Sequence, residues 1–271
     1  MTNLTTETEL QYLGYLQTPQ LWETDSLLSL VQLHLPPYKH EKFVAVIDKK
    51  LRLGHLVEYF VFHELEQDTD TKLLATNIQV KNKLQTIGEL DCILKKGNTY
   101  IHLEIVYKFY LYDETVGYSE LEHWIGPNRK DALIEKITKL KQKQLPLLYK
   151  PETKSSLDEL DLKATELVQQ VCFKAQLFVP YHVVNMPLRL VNNACISGYY
   201  INYNNLNHLR NHLFYVPKKL DWLVQPHNSV DWLSFEDAYQ VILGYITEKK
   251  SPLCWVKSPQ NVLQKLFVVW W

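Results

Sequence analysis

The stretch Tyr100-Ile101-His102-Leu103-Glu104-Ile105-Val106-Tyr107-Lys108-Phe109-Tyr110-Leu111 alternates with a period of two. Its odd positions, from Ile101 to Leu111, are all apolar, whereas His102, Glu104, Val106 and Lys108 hold even positions. Successive side chains leave opposite faces of a strand. The pattern therefore predicts a strand with one buried face and with Glu104 and Lys108 on the other. Upstream, Ile87–Leu94 also has strand character, and the polar Lys95-Lys96-Gly97-Asn98 between the two runs reads as a hairpin turn. Antiparallel pairing across that turn brings Asp91, of Gly88-Glu89-Leu90-Asp91, level with the middle of the second strand, near Glu104.

Outward from this hairpin, Leu73–Val80 is a third strand-like run. Before it, Leu53, Leu56, Val57, Phe60, Val61 and Leu65 form one apolar helical stripe. The first segment, Glu7 to Leu35, reads as mostly helical and is stopped by Pro36-Pro37. An acidic insertion, Asp113–Glu122, precedes Trp124-Ile125-Gly126-Pro127-Asn128-Arg129. There Asn128 is read as the N-cap of a helix running to about Leu145, before Pro146. Leu157–Val171 is read as another helix and Phe173–Val179 as a strand. Strand-like pieces at Gly198–Tyr203 and His212–Val216, a helix at Phe235–Thr247 and the apolar Leu266–Trp271 complete the chain. A helix, three strands, helices and a strand make a mixed α/β protein. The expected organisation is an N-terminal helical lead-in (1–48), a core (49–182) and an α+β C-terminal extension packed on it (183–271).

Composition excludes several classes. The 271 residues are 46% hydrophobic and 22% charged, with only 8 glycines and 12 prolines, so disordered and collagen-like readings fail. The net charge of -1 offers no large positive field for coating nucleic acid indiscriminately, although a local basic face is compatible with it. No apolar run approaches the length that spans a bilayer, and Met1–Glu9 lacks the cationic and apolar regions of a signal peptide. Cys92, Cys172, Cys195 and Cys254 are widely spaced and read as reduced packing residues. A cytoplasmic protein with no membrane partner is expected. GxSxG, GxGxxG and Walker A loops are absent, and His63-Glu64 is not an HExxH motif because Gln67 stands where the second histidine belongs.

Two carboxylates converging on a sheet surface suit a hard divalent cation, which takes oxygen ligands and keeps several waters. An ammonium nearby, from Lys108, can orient an attacking water and neutralise charge growing on phosphorus. Glu58, at the edge of the helical stripe, offers a third carboxylate. Together these residues point to metal-assisted phosphodiester hydrolysis.

Glu58 on a first helix, Asp91 in Gly-Glu-Leu-Asp, and Glu104 with a downstream Lys108 resemble the PD-(D/E)XK nuclease superfamily over roughly Leu51 to Pro180. Gly54-x-x-x-Glu58, Gly88-Glu89-Leu90-Asp91 and Trp124–Arg129 also resemble an uncharacterised bacterial family placed with that fold. The resemblance implies a PD-(D/E)XK-like central sheet flanked by helices, Mg²⁺ or Mn²⁺ held by Asp91 and Glu104, catalytic support from Lys108, and an auxiliary role for Glu58. It also implies a nucleic-acid substrate, with DNA ahead of RNA. The sequence departs from the superfamily at one point: the usual lysine position, two residues after the glutamate, holds Val106. Lys108 keeps the correct parity but stands about 13 Å along the strand from Glu104 instead of about 6.6 Å. A lysine from the next helix is the other possible source.

Each residue also has a plainer reading. Glu58 and Lys108 can be solvated surface charges, and Asp91 and Glu104 can form a structural ion pair with Lys108. Glu89 shares the Asp91 face and is the second choice as ligand, while His102 reads as a hydrogen-bonded sheet histidine. His208 and His212 have zinc-like spacing but no third ligand. Arg129, Lys130, Lys136, Lys139, Lys141 and Lys143 outweigh Asp131 and Glu135 to give a segment of net charge +4. That segment is either a phosphate-facing surface or an ordinary solvated helix face, with Leu133, Ile134, Ile137 and Leu140 as the buried stripe. The competing function is a catalytically inactive PD-(D/E)XK-fold module that binds nucleic acid or a protein partner. A third reading is hydrolysis of a small phosphorylated molecule.

Overall fold

The computed structural model describes residues 6–34, 41–43, 51–183 and 186–271. In chain order its elements are α1 (Glu7–Gln17), β1 (Ser26–Leu27), β2 (Leu30–Val31), α2 (Leu53–Glu66), β3 (Thr71–Asn82), β4 (Gln85–Lys96), β5 (Thr99–Tyr112) and β6 (Trp124–Ile125). They continue with α3 (Leu133–Lys139), a π-helical turn (Leu140–Gln144), α4 (Lys154–Asp158), β7 (Leu167–Pro180), β8 (Ile196–Asn202), β9 (Leu213–Tyr215), α5 (Phe235–Thr247), β10 (Leu253–Lys257) and β11 (Leu263–Val269). This is a mixed α/β fold with a large mixed sheet flanked by helices. Among the described residues no helix is long and apolar enough to cross a membrane. The chain divides into two compact units, and β5 and β7 contribute residues to both.

One unit comprises Gln20–Tyr107 and Glu135–Lys174. Here β3 pairs antiparallel with β4, and β4 with β5 from Lys96↔Thr99 to Cys92↔Leu103. The expected hairpin turn is present, with Gly97 at φ +55, a left-handed conformation that favours glycine. The helix stripe is also present: α2 buries Leu53, Leu56, Val57, Phe60, Val61 and Leu65. A core cluster joins Val80 of β3 and Leu90 and Ile93 of β4 to Leu147, Leu148, Leu157, Leu162 and Leu167. Leu147 packs closely on Gly88: a Cβ there would stand 2.6 Å from Leu147 Cδ2, so the leucine would have to shift.

Two expected helices are shorter than their patterns. The first helix ends at Gln17, and from Gln20 the chain becomes an extended arm beside β7. Leu21 N–H donates to Phe173 O at 2.9 Å and Leu33 N–H to Val171 O at 2.9 Å, while the Gln32 side chain brackets the Phe173 backbone. Leu27, Leu30 and Leu33 are buried in this arm, and Leu28 and Ser29, both at positive φ, turn the chain between β1 and β2. Burial had two solutions for this apolar spacing, and strand pairing with β7 decided between them. Leu35, the Pro36-Pro37 stop and the 48/49 boundary lie outside the described residues. Of the helix expected over Leu157–Val171, α4 covers only Leu157 and Asp158, and a 3-10 turn forms at Ala164–Glu166. Asp161 adopts φ +55, Leu162 N–H closes on Leu157 O, and the chain is extended from Leu167 onward.

The other unit comprises Met1–Pro19, Lys108–Ile134 and Ala175–Trp271. Its strands run β7-β8-β11-β10-β9, with β7–β8 and β8–β11 parallel and the remaining pairs antiparallel. Helix α5 spans the expected residues, is N-capped by Ser234, and buries Phe235, Ala238 and Ile242 against Val256, Leu266 and Val268. An aromatic group of Phe109, Phe178, Trp222 and Phe267 fills the sheet's centre. In its midst Lys265, 1% exposed, donates to Gln176 Oε1 and Trp222 O, each at 2.8 Å. Asn128 is not a helix N-cap: its Oδ1 accepts from Ser251 N–H at 2.8 Å, and the helix begins only at Leu133. The Trp124–Arg129 motif ties down the chain's end. Pro127 O accepts from Trp271 Nε1, and Arg129 lies over the Trp271 ring while pairing with Asp113 at 3.0 Å.

Candidate functional site

The β4–β5 ladder stops at Cys92↔Leu103, one residue before Asp91 and Glu104 would face each other. Beyond that point a side chain replaces the ladder: Asp91 Oδ2 accepts the backbone N–H of Ile105 at 2.8 Å. The carboxylate of β4 is thereby fixed against β5 at the residue next to Glu104. On the other side of β4, Thr76↔Cys92 and Ile78↔Leu90 flank Asn77, which is left out of the register at φ +52 opposite Asp91. This irregularity turns the Asn77 amide toward α2, where Nδ2 donates to Glu58 Oε2 at 3.0 Å. His55 Nδ1 lies 3.2 Å from the same oxygen. A non-glycine residue held at positive φ inside a strand is the kind of local strain that concentrates at functional sites.

Two of the predicted carboxylates, Glu104 and Glu58, act on the third, Asp91. Burial raises the Asp91 pKa most, the Glu104 charge raises it next, the Ile105 N–H opposes, and Glu58 adds a further upward push against the Lys136 ammonium. The result is an aspartic acid pushed up to about 8. Burial and the neighbouring Glu104 charge thus keep the Asp91 carboxyl protonated at neutral pH, against the opposing pull of Lys136.

Glu104 is fully buried although it stands on the face opposite the apolar one, so both faces of β5 are covered here. Its Oε1 is 3.1 Å from His102 Nε2 and its Oε2 accepts from Gln144 Nε2 at 2.6 Å. Gln169 Nε2 is 3.0 Å from His102 Nδ1. An amide nitrogen only donates, so Nδ1 accepts, and the neutral tautomer carries its proton on Nε2, aimed at Glu104. Gln144 Oε1 in turn accepts from Lys136 Nζ at 2.7 Å. Lys136, Gln144, Glu104, His102 and Gln169 thus form one continuous chain.

The π-helical turn explains how Lys136 and Gln144 meet. In a straight α-helix, residues eight apart are about 80° out of phase. Closing the turn with Leu145 N–H on Leu140 O inserts an extra residue and brings Gln144 round toward the Lys136 face. Sequence reading had no signal for this turn, and it missed Gln144, Gln169 and Asn77. His102 is hydrogen-bonded, as read. Lys108 donates to Asp131 Oδ2 at 2.7 Å. Among the described charges that act on Asp91, the lysine is Lys136. Of the remaining basic residues, Arg129 is engaged with Asp113 and Trp271, while Lys130, Lys139, Lys141 and Lys143 are exposed.

Among the described residues no group of three or more His, Cys, Asp and Glu converges as a preformed metal cage. The chemistry of the donors still fits a hard cation: two adjacent carboxylates bear oxygen ligands only, and Asp91 holds a proton that a divalent ion would replace. Fold and site together define a mixed α/β protein with a buried acidic pair where two antiparallel strands part. The family model described as Domain of unknown function (DUF1853) matches residues 11–269, and the chain belongs to that family. No curated protein and no solved structure matches it.

Proposed function

We propose that the protein is a metal-dependent nuclease that hydrolyses phosphodiester bonds, with DNA as the first substrate to test. The observation that carries this reading is the bond from Ile105 N–H to Asp91 Oδ2, which holds the β4 carboxylate beside Glu104. The order of helix α2, hairpin and strands supports the resemblance to PD-(D/E)XK nucleases. Asp91 and Glu104 would hold Mg²⁺ or Mn²⁺, which supplies polarisation of the phosphate and neutralisation of its charge. Lys136, acting on Asp91 and bonded to Gln144, takes the role first assigned to Lys108: it orients the attacking water and offsets charge developing on phosphorus. Glu58, pinned by Asn77, supplies the auxiliary carboxylate. Exposed Lys139, Lys141 and Lys143 follow on the same segment and would meet backbone phosphates.

The purified chain, incubated with Mg²⁺ or Mn²⁺ and with single-stranded DNA, duplex DNA, RNA and mononucleotides, tests this directly. Cleavage that Asp91→Asn and Lys136→Met abolish supports the nuclease. Cleavage of mononucleotides alone would favour the small phosphorylated substrate. The full burial of Glu104 and the presence of Val106 favour a second reading, a non-catalytic nucleic-acid-binding module. Salt-sensitive DNA binding that survives Asp91→Asn, with no cleavage of any substrate, would select it.

A further inference from the structure

We infer that Gln144 is a positioning residue for the proposed reaction: its amide holds Glu104 and Lys136 together in the cation-free protein, and its rotation opens Glu104 to a divalent ion while releasing Lys136 from Gln144. This rests on reading Asp91 and Glu104 as the cation's ligands. The geometry is specific. An ammonium has no acceptor, so Gln144 must turn Oε1 toward Lys136 and Nε2 toward Glu104. The two ends of one planar amide therefore satisfy the two charged groups at 2.7 and 2.6 Å.

On Glu104, Oε1 is next to His102, and Oε2, the oxygen left for a ligand, is the one that Gln144 covers. With the Glu104 side chain at 0% exposure, no ion reaches it while that contact persists. The backbone on either side does not have to move. Leu140 is buried ahead of Gln144, and Leu147 and Leu148 are buried behind it against Gly88 and its neighbours. The Gln144 side chain, which is only partly buried, is the element that rotates. The same rotation breaks the contact with Lys136, so opening of the ligand and loss of the Gln144–Lys136 bond are one event. A metal ligand and the group that serves the water are thereby kept closed together in the resting protein.

Calorimetric titration of the full chain with Mn²⁺ tests this without any activity readout. Gln144→Ala and Gln144→Leu each remove the competing donor from Glu104, and they should tighten Mn²⁺ binding about tenfold, the scale of one hydrogen bond to a charged group. The leucine variant preserves side-chain volume and carries the test if the alanine variant unfolds. In wild type, the side-chain amide resonance of Gln144, identified by its loss in Gln144→Leu, should shift on adding Mg²⁺. Binding to wild type that the variants leave unchanged or weaken would overturn the role of Gln144 and leave the metal site standing. No binding by wild type or either variant would instead remove the metal site itself. Binding by the variants alone would be the strongest support for Gln144 as the restraint.

Discussion

Replacing Asp91 by asparagine separates a functional acid from a structural one. The Asp91 carboxyl is pushed from its ordinary 3.8 up to about 8, chiefly by burial and then by Glu104. Because its folded-state value is raised, the group contributes stability that is fully present below its ordinary value and is lost as pH rises toward 8. At pH 7 the folded protein holds a proton that the unfolded chain has released. Each pH unit of that mismatch is worth about 1.4 kcal/mol. Three such units set a ceiling of about 4 kcal/mol. Asn resembles the protonated acid in shape and can still accept from Ile105 N–H, yet it never ionises. Asp91→Asn should therefore stabilise the metal-free protein at pH 7 by about 1–4 kcal/mol and by almost nothing at pH 4. It should also abolish Mn²⁺ binding. Urea unfolding at the two pH values, with and without Mn²⁺, measures all three effects. Had Asp91 been one half of a buried ion pair, the same substitution would cost about 3–5 kcal/mol. Destabilisation of that size at pH 7 would refute the reasoning.

Other consequences follow from named contacts. Lys108→Met, which removes an ion pair whose side chains are 35% and 41% exposed, should cost less than about 1 kcal/mol and leave cleavage intact, whereas Lys136→Met should abolish cleavage with the fold retained; parallel melts and nuclease assays check this. His102→Phe leaves Glu104 Oε1 without its His102 donor and removes one of the two acceptors of Gln169 Nε2, the other being Leu145 O, and should cost about 1–3 kcal/mol in urea unfolding. Lys265, whose pKa burial lowers to about 7, binds fewer protons folded than unfolded up to its ordinary 10.5. Stability should therefore rise with pH through that window, and Lys265→Met should flatten the rise in urea titrations at pH 7, 8 and 9.

The period-two alternation from Tyr100 to Leu111, the Lys95–Asn98 turn and the stripe from Leu53 to Leu65 were readable because each is set by neighbours along the chain. Helix α5 was readable for the same reason, its cap and its stripe being local. Parity along β5 and antiparallel pairing put Asp91 beside Glu104, and the structure has them acting on one another. Where one apolar spacing serves two structures, local pattern failed. Leu27–Leu33 and the start of β7 became extended because each found a strand edge, and that gain is invisible until the partner is in place.

By itself, then, the sequence determined the element types of the hairpin and α2, and the acidic pair that the hairpin carries. Which lysine approaches that pair was a tertiary decision. Val106 occupies the usual position, Lys108 is held by Asp131, and Lys136 is joined to Glu104 through Gln144 only because a π-helical turn shifts the helix phase. Hydrophobic periodicity records which face of an element is buried. It carries no record of a one-residue change in helical phase, nor of which distant polar group will close over a buried charge, because both are settled by packing between segments far apart in the chain.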